Sequence, residues 1–266
     1  MKLGFMQGRL VDSEKKNSIQ YFPSRNWKKE IILAKKNQIE LIEWTINYEN
    51  INLNPLFDKK KNLLLLQFIK KNSINLESVT CDFFMQKPFF KNQRFNYVLN
   101  DLEKVINLSS NLNIKYFILP LVDNSSIENE NQEEILIKDL LKLSEKLKKK
   151  QKFLFEIDYS PKKILILLKK LNNKFGINYD TGNSASLGYN LNDEKIYFEK
   201  VHNIHIKDRI YKGNSVRLGK GNYNFKQFFK FLKKIKYNGN LILQTARSKN
   251  HLNELKININ FIKNYL

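Results

Sequence analysis

The sequence contains little cysteine, arginine, glycine or proline, and the first of these shortages excludes whole classes of protein. The single cysteine among 266 residues can form neither an intramolecular disulfide nor a cysteine-based metal site, which predicts a reducing compartment. No window holds about 18 uncharged apolar residues, and the first residues include no apolar stretch of signal-peptide length. We therefore expect a cytoplasmic protein with no membrane partner.

The basic charge is carried by lysine rather than by arginine. The formal net charge is +21, yet only six of the 47 basic residues are arginines, while asparagine is abundant and glycine is limited to nine. Nucleic-acid-binding proteins rely heavily on guanidinium groups to bind phosphate and guanine. The lysines lie in runs typical of solvated helix faces, such as 59–61 and 148–150. We attribute the charge to a biased composition and expect no nucleic acid partner.

The scarce residue types are concentrated in one segment. Five of the nine glycines and two of the six arginines, Arg209 and Arg217, lie between residues 182 and 221. Arginine offers a planar fork of donors, and glycine offers a backbone freedom that other residues lack. We therefore expect functional chemistry in this segment.

Short apolar runs alternate with longer segments of helical period along the whole chain. The runs predict eight strands, at 3–6, 39–44, 74–80, 114–119, 153–157, 176–179, 202–206 and 241–243. The segments between them predict eight helices, at 27–37, 59–71, 95–112, 133–150, 161–171, 193–200, 225–235 and 251–265. Eight such units predict an α/β fold, a single-domain (β/α)₈ TIM barrel over residues 1–266. A doubly wound open sheet is the alternative, although no Gly-x-Gly-x-x-Gly motif follows the first strand.

Polar side chains lie at the ends of four successive predicted strands. In a barrel, catalytic side chains come from the C-terminal ends of the strands. The fifth to eighth strands deliver two carboxylates, an imidazole and an amide, on Glu156, Asp180, His205 and Gln244. These are groups that bind divalent cations, so we predict that they converge on one metal ion. Each also has a structural alternative, and Asp180 before Thr-Gly suits a helix cap or a turn.

Four segments carry a recognisable pattern. They are Met6-Gln-Gly-Arg-Leu, Tyr179-Asp-Thr-Gly-Asn, His205-Ile-Lys-Asp-Arg and Leu218-Gly-Lys-Gly-Asn-Tyr-Asn-Phe. Together they resemble the xylose isomerase-like TIM barrel superfamily, within its sugar phosphate isomerase/epimerase group, over nearly the whole chain. The resemblance implies one divalent metal ion, commonly Mn²⁺, Mg²⁺, Co²⁺ or Zn²⁺. Its ligands would be Glu156, Asp180, His205 and the residue at position 244.

Position 244 departs from the commonest pattern of that group, because glutamine stands where a second glutamate is usual. An amide can bind a metal through its carbonyl oxygen but cannot act as a general base at neutral pH. In the epimerases of the group, two metal-bound glutamates move the proton from opposite faces of the substrate, and here only Glu156 could do so. Glu43 or Lys207 is expected to serve the opposite face. Lys207 could instead pair with Asp208 or with a substrate oxygen.

The resemblance implies a metal-dependent sugar or sugar-phosphate isomerase or epimerase, which removes a proton next to a carbonyl through an enediolate. The expected partner is a small carbohydrate or sugar phosphate, and barrels of this group often form homodimers. The expected substrate contacts are Arg9, Asn183, Asp208, Arg209, Arg217, Arg247 and Trp44. The four arginines would bind an anionic group. For Trp44, a place in the hydrophobic core is the alternative.

Two other functions stay open. A barrel that binds a sugar phosphate without converting it would be consistent with Gln244. An apurinic-endonuclease-like nuclease of the same superfamily would need three zinc ions and many imidazoles. The chain has three histidines, of which only His205 is placed to bind a metal at a strand end.

Overall fold

The computed structural model describes residues 1–12, 20–246 and 248–266, and these residues form ten strands and ten α-helices. Ten strands are β1 (Lys2–Met6), β2 (Leu41–Ile46), β3 (Asn75–Cys81), β4 (Tyr116–Leu121), β5 (Lys152–Ile157), β6 (Phe175–Asp180), β7 (Val201–Ile206), β8 (Asp208–Arg209), β9 (Ser215–Val216) and β10 (Asn240–Leu243). Ten helices are α1 (Trp27–Lys36), α2 (Lys59–Asn72), α3 (Phe83–Gln86), α4 (Tyr97–Leu108), α5 (Glu130–Ser144), α6 (Pro161–Lys169), α7 (Thr181–Leu187), α8 (Leu191–Glu194), α9 (Phe225–Lys234) and α10 (His251–Lys263).

Eight of the strands form a closed parallel barrel, and this confirms the predicted fold. Their order around the barrel is β1-β10-β7-β6-β5-β4-β3-β2. The strands β8 and β9 form a separate antiparallel hairpin directly after β7. The register between β6 and β7 pairs Asp180 with His205, so their side chains leave the barrel at the same height. No helix in the described part of the chain is both long and apolar enough to cross a membrane.

The helices cover the barrel with apolar stripes. On α9 the buried residues are Phe225, Phe228, Phe229 and Leu232, which follow the spacing of one helical face. The lysines of this helix lie outside that stripe. Asn224 precedes the helix, and its side chain accepts a hydrogen bond from the Gln227 backbone N–H, so the helix begins at a capped end.

Every predicted strand is present, with ends displaced by at most two residues. The segment predicted as one helix over 95–112 contains α4, which ends at Leu108, and a short 3₁₀ turn at Ser109–Asn111. The helix α7 was not predicted, because its sequence is rich in glycine and serine, which are weak helix formers. It forms because Asp180 caps its start and Gly188, at φ +71°, ends it.

Candidate active site

Three potential metal ligands converge where β5, β6 and β7 end. One ligand atom each from Glu156, Asp180 and His205 lies within 4.8 Å of the others, and all three residues are buried. Glu156 Oε2 is 3.1 Å from His205 Nδ1, and Asp180 Oδ2 is 3.9 Å from the same nitrogen. Neighbouring parallel strands bring these residues together although they are 24 or more positions apart.

One carboxylate oxygen of this cluster has no hydrogen-bond donor in the described part of the chain. Asp180 Oδ1 accepts from the Asn183 backbone N–H, whereas Oδ2 is buried and makes no hydrogen bond. A buried acceptor without a partner is unfavourable by about 1–3 kcal/mol. The Lys207 Nζ atom, at 3.7 Å, is within ion-pairing distance only. Together with Asp180, Glu156 and His205 supply a second carboxylate and an imidazole. This set of donor groups suits a divalent cation.

The His205 ring is held from behind by Glu43. The ring Nε2 is 2.6 Å from Glu43 Oε1, which leaves Nδ1 directed at Glu156 and Asp180. Carboxylate groups commonly hold the rings of metal-binding histidines in this way. Neither His205 nor Glu43 is exposed to solvent.

Both oxygens of the Glu43 carboxylate are occupied. Thr80 Oγ1 donates to Oε1 at 2.6 Å, in addition to the His205 contact. Ser78 Oγ and Asn203 Nδ2 donate to Oε2 at 2.7 and 2.9 Å. Glu43, which the sequence suggests as a base facing the substrate, lies beneath the imidazole and is not among the residues that line the cavity beside the cluster. This geometry suits a residue that positions His205.

The cluster has strongly shifted protonation equilibria. Burial lowers the pKa of His205, but the charges of Glu43 and Glu156 outweigh burial and raise that pKa to about 10. Burial raises the pKa of Glu156, and the charge and hydrogen bond of His205, with the charge of Lys207, bring it below its usual value. Burial also raises the pKa of Asp180. Without a metal, His205 therefore carries a second ring proton and a positive charge. A bound cation would replace this proton.

Gln244, the predicted fourth ligand, is linked to the cluster by Lys207, which contacts both Gln244 and Asp180. Gln244 Oε1 accepts a hydrogen bond from Lys207 Nζ at 3.3 Å, and this ammonium group lies 3.7 Å from Asp180 Oδ2. The other end of the amide, Nε2, donates to Gln20 Oε1 at 2.8 Å. Lys207 therefore pairs with Asp180 and Gln244, and not with Asp208.

A cavity of about 590 Å³ opens beside the cluster at the C-terminal ends of the strands. Five of the predicted site residues line it, namely Glu156, Asn183, Lys207, Arg209 and Gln244. Asn183 Nδ2 donates to Glu156 Oε1 at 3.0 Å, and Asn183 Oδ1 accepts from Arg209 Nη1 at 3.3 Å. The cavity thus combines carboxylate, amide and cationic groups around a volume suited to a small ligand.

Trp44 lies outside this cavity, contrary to the expectation that it contacts substrate. Successive side chains of a strand point to opposite faces, so Trp44 points out of the barrel because Glu43 points in. It is fully buried, its ring centroid is 5.6 Å from that of Phe22 and 5.9 Å from that of Trp27, and its Nε1 donates to Asn54. Trp44 is a core residue.

Asp208 also has a role other than the expected substrate contact. Its carboxylate is fully buried and accepts from the backbone N–H groups of Gly219, Gly221 and Tyr223. A Cβ atom at Gly221 would lie 2.2 Å from Asp208 Oδ1, so only glycine fits there. Asp208 therefore fixes the glycine-containing loop that follows the β8–β9 hairpin.

The remaining arginines divide between other sites. Arg217 forms two hydrogen bonds to the Glu254 carboxylate, at 2.9 and 2.7 Å, on helix α10. Arg9 is buried and its Nε donates to the Thr245 carbonyl oxygen. Neither residue lines the main cavity, so the structure does not support their expected contact with an anion there. Arg247 lies outside the described residues.

Three residues without a predicted role contribute to the site. Asn178 Nδ2 lies 3.2 Å from Glu156 Oε2 and 3.0 Å from His205 Nδ1. Asn178 stands two residues before Asp180 on the same face of β6, and this spacing could have indicated its place in the site. Asp82 follows β3, lines the cavity and is 6% exposed. Burial, with the charge of Glu156, raises the pKa of Asp82 to about 8. Gln20 lines the cavity from a loop and had no sequence signal.

Comparison with known proteins gives a family match and one curated relative. The family model described as xylose isomerase-like TIM barrel matches residues 32–265. A Haemophilus influenzae protein named "Putative L-ribulose-5-phosphate 3-epimerase SgbU" is 26% identical over 246 residues, which cover 84% of this chain and 85% of the relative.

Solved structures share the fold at low sequence identity. The IOLI protein, crystallised with a bound zinc atom, has a TM-score of 0.76 and 16% identity, covering 100% of this chain and 99% of that one. The D-psicose 3-epimerase from Clostridium cellulolyticum, crystallised with D-tagatose, has a TM-score of 0.75 and 12% identity, with coverage of 100% and 99%. At these identities the likeness concerns the fold alone.

Proposed function

Because this chain belongs to the xylose isomerase-like TIM barrel family, we propose that it is a metal-dependent isomerase or epimerase of a sugar or sugar phosphate. The curated relative is named as an epimerase of a ketose phosphate, and a structural neighbour as an epimerase of a ketose, which supports this reaction class. The observation that carries the proposal is the buried cluster of Glu156, Asp180 and His205 beside the main cavity.

The proposed cofactor is one divalent cation held by Glu156, Asp180, His205 and the carbonyl oxygen of Gln244. Asp180 Oδ2, which accepts no hydrogen bond from any described residue, and the zinc atom bound by the structurally similar IOLI protein support this assignment. The donor set is compatible with Mn²⁺, Mg²⁺, Co²⁺ or Zn²⁺. A bound cation supplies positive charge that polarises a ketose carbonyl and its neighbouring hydroxyl group.

Glu156 is the proposed base. In the metal-free cluster the charge of His205 keeps its carboxylate ionised, and a bound cation would take over this effect. Hydrogen bonds from Asn178 and Asn183 fix its two oxygens. A fixed carboxylate at the cavity wall can accept the proton from the hydroxyl-bearing carbon beside the carbonyl. Lys207, whose ammonium group faces the same cavity, is the proposed group for the opposite face of the substrate or for a substrate oxygen.

Substrate binding is assigned to the polar groups that line the cavity. Arg209 presents a guanidinium group that already contacts Asn183, and it could bind a phosphate or a hydroxyl oxygen. Glu43 is assigned to holding His205 rather than to proton transfer.

The proposal is tested by solvent deuterium incorporation next to the carbonyl of a ketose. With Mn²⁺ present, the wild-type protein should exchange this proton in at least one member of a panel of ketoses and ketose phosphates. Glu156→Gln should reduce the exchange rate by roughly 10²-fold or more, because the general base is lost. Glu103→Gln, which changes a half-buried carboxylate of α4 that pairs with Lys146, is the matched control and should keep the wild-type rate.

Gln244 favours one other function, because an amide cannot supply the second base. A barrel that binds a sugar phosphate without converting it would give calorimetric binding of a ketose or its phosphate with no deuterium exchange. That combination would replace the enzyme proposal.

A further inference from the structure

A chain of hydrogen bonds runs along the wall of the main cavity, from the residue after β3 to the residue after β10. Gln20 Nε2 donates to Asp82 Oδ1 at 3.1 Å, and Gln20 Oε1 accepts from Gln244 Nε2 at 2.8 Å. At the far end, Gln244 Oε1 accepts from Lys207 Nζ at 3.3 Å. Asp82 and Gln244 are only 6% and 7% exposed, so both ends of the Gln20 bridge lie in buried surroundings.

The two charged ends of this chain of hydrogen bonds favour the same direction, because the Lys207 ammonium group can only donate to Gln244 Oε1. An ionised Asp82 carboxylate can only accept from an amide, so Gln20 turns its Nε2 toward Asp82. The Gln20 oxygen then faces Gln244, which must donate its own Nε2. The carbonyl oxygen of Gln244 is thereby left on the side of Lys207 and Asp180. A protonated Asp82 could instead donate its hydrogen to Gln20 Oε1 and reverse the chain, so this direction requires the ionised carboxylate.

We propose that Asp82, acting through Gln20, is a positioning residue that fixes the orientation of the Gln244 amide, so that its carbonyl oxygen faces the proposed cation. This inference rests on the metal site of the proposed function. An amide has one oxygen and one NH₂ group, and the wrong orientation would direct NH₂ hydrogens at the ammonium group of Lys207 and at the cation. A glutamate at position 244 would present an oxygen in either orientation and would not need such a device.

That difference between glutamine and glutamate provides the test. We would measure Mn²⁺ affinity by isothermal titration calorimetry for the wild type, Asp82→Ala, Gln244→Glu and the double variant. Asp82→Ala should weaken Mn²⁺ binding by roughly ten-fold in the Gln244 background, as for other partners that orient metal ligands. In the Gln244→Glu background the same change should alter the affinity by less than about two-fold, because the carboxylate needs no orientation.

The control variant for charge is Glu49→Ala, which removes another carboxylate from the wall of the same cavity. It should change Mn²⁺ affinity to the same small extent in both backgrounds. Equal losses for Asp82→Ala in both backgrounds would mean that Asp82 acts only through its charge, and would overturn the inference. Wild-type affinity in Asp82→Ala would overturn it as well.

Gln20→Ala interrupts the chain of hydrogen bonds at its middle. It should weaken Mn²⁺ binding in the Gln244 background but not in the Gln244→Glu background, which gives a second test if Asp82→Ala does not fold. Unfolding curves followed by circular dichroism identify the folded variants.

Failure of the enzyme proposal and failure of the orientation proposal give different results. Wild-type protein that binds Mn²⁺ without exchanging ketose protons would refute the enzyme and leave the orientation effect measurable. Wild-type protein that binds no Mn²⁺ would overturn the orientation effect itself.

Discussion

Replacing Glu43 by glutamine is the most direct test of how the imidazole ligand is held. The carboxylate contacts His205 Nε2 at 2.6 Å and accepts from three further side chains, all in the barrel interior. Glu43→Gln removes the negative charge and directs an NH₂ group at donors that need an acceptor. We expect the variant to bind Mn²⁺ more weakly while the cavity keeps its shape.

The magnitude follows from the position of Glu43 behind the ligand. Changing the outer partner of a metal-binding histidine lowers metal affinity by roughly 10- to 100-fold, which is about 1.4–2.8 kcal/mol. The upper part of this range applies here, because neither His205 nor Glu43 is exposed and water cannot replace the lost partner.

The assay is Mn²⁺ titration by calorimetry, together with deuterium exchange at saturating metal. The matched control is Ser78→Ala, which removes one hydrogen bond to the same carboxylate but leaves its charge in place. It should destabilise the fold by about 1.5–3 kcal/mol and change Mn²⁺ affinity by less than about three-fold. If Glu43→Gln binds Mn²⁺ as tightly as the wild type but loses exchange, Glu43 acts on the substrate and the positioning argument is refuted.

Two further predictions concern protonation and the core. Because the pKa of His205 is raised to about 10, the metal-free protein carries a proton there that a cation must displace, so Mn²⁺ affinity should rise about ten-fold per pH unit between roughly pH 6 and pH 9. Calorimetry in buffers of different ionisation enthalpy should detect the released proton, and an affinity independent of pH would contradict this. Trp44→Phe should lower the free energy of unfolding by about 1–2 kcal/mol, through the lost hydrogen bond to Asn54 and lost packing, with Mn²⁺ affinity unchanged. Urea unfolding measures the first effect, and a loss of metal binding would contradict the core assignment.

The pattern of strands in the sequence predicts the positions of the main site residues. It places Glu156, Asp180 and His205 at the ends of successive strands, and neighbouring strands then bring them together. The same pattern places Trp44 on the face opposite Glu43, so its outward position followed from information that was already in the sequence.

Other contacts depend on how distant segments meet, which no local pattern encodes. Gln20 reaches Gln244 across 224 positions of the chain. Asp208 resembles a ligand-binding residue in the sequence because it follows a metal-ligand candidate. Its partners are backbone groups 11 to 15 residues further on, and they become visible only when the loop is folded.

The loop around Asp208 has an evolutionary consequence. A side chain at position 221 would occupy the space of the carboxylate, and a shorter residue at position 208 would leave three backbone N–H groups without their acceptor. Neither position can therefore drift alone, and a descendant that remodels this rim must change both at once or abandon the loop. Variation among relatives should accordingly show aspartate and glycine lost together at these two positions, while the neighbouring exposed lysine at position 220 varies without constraint.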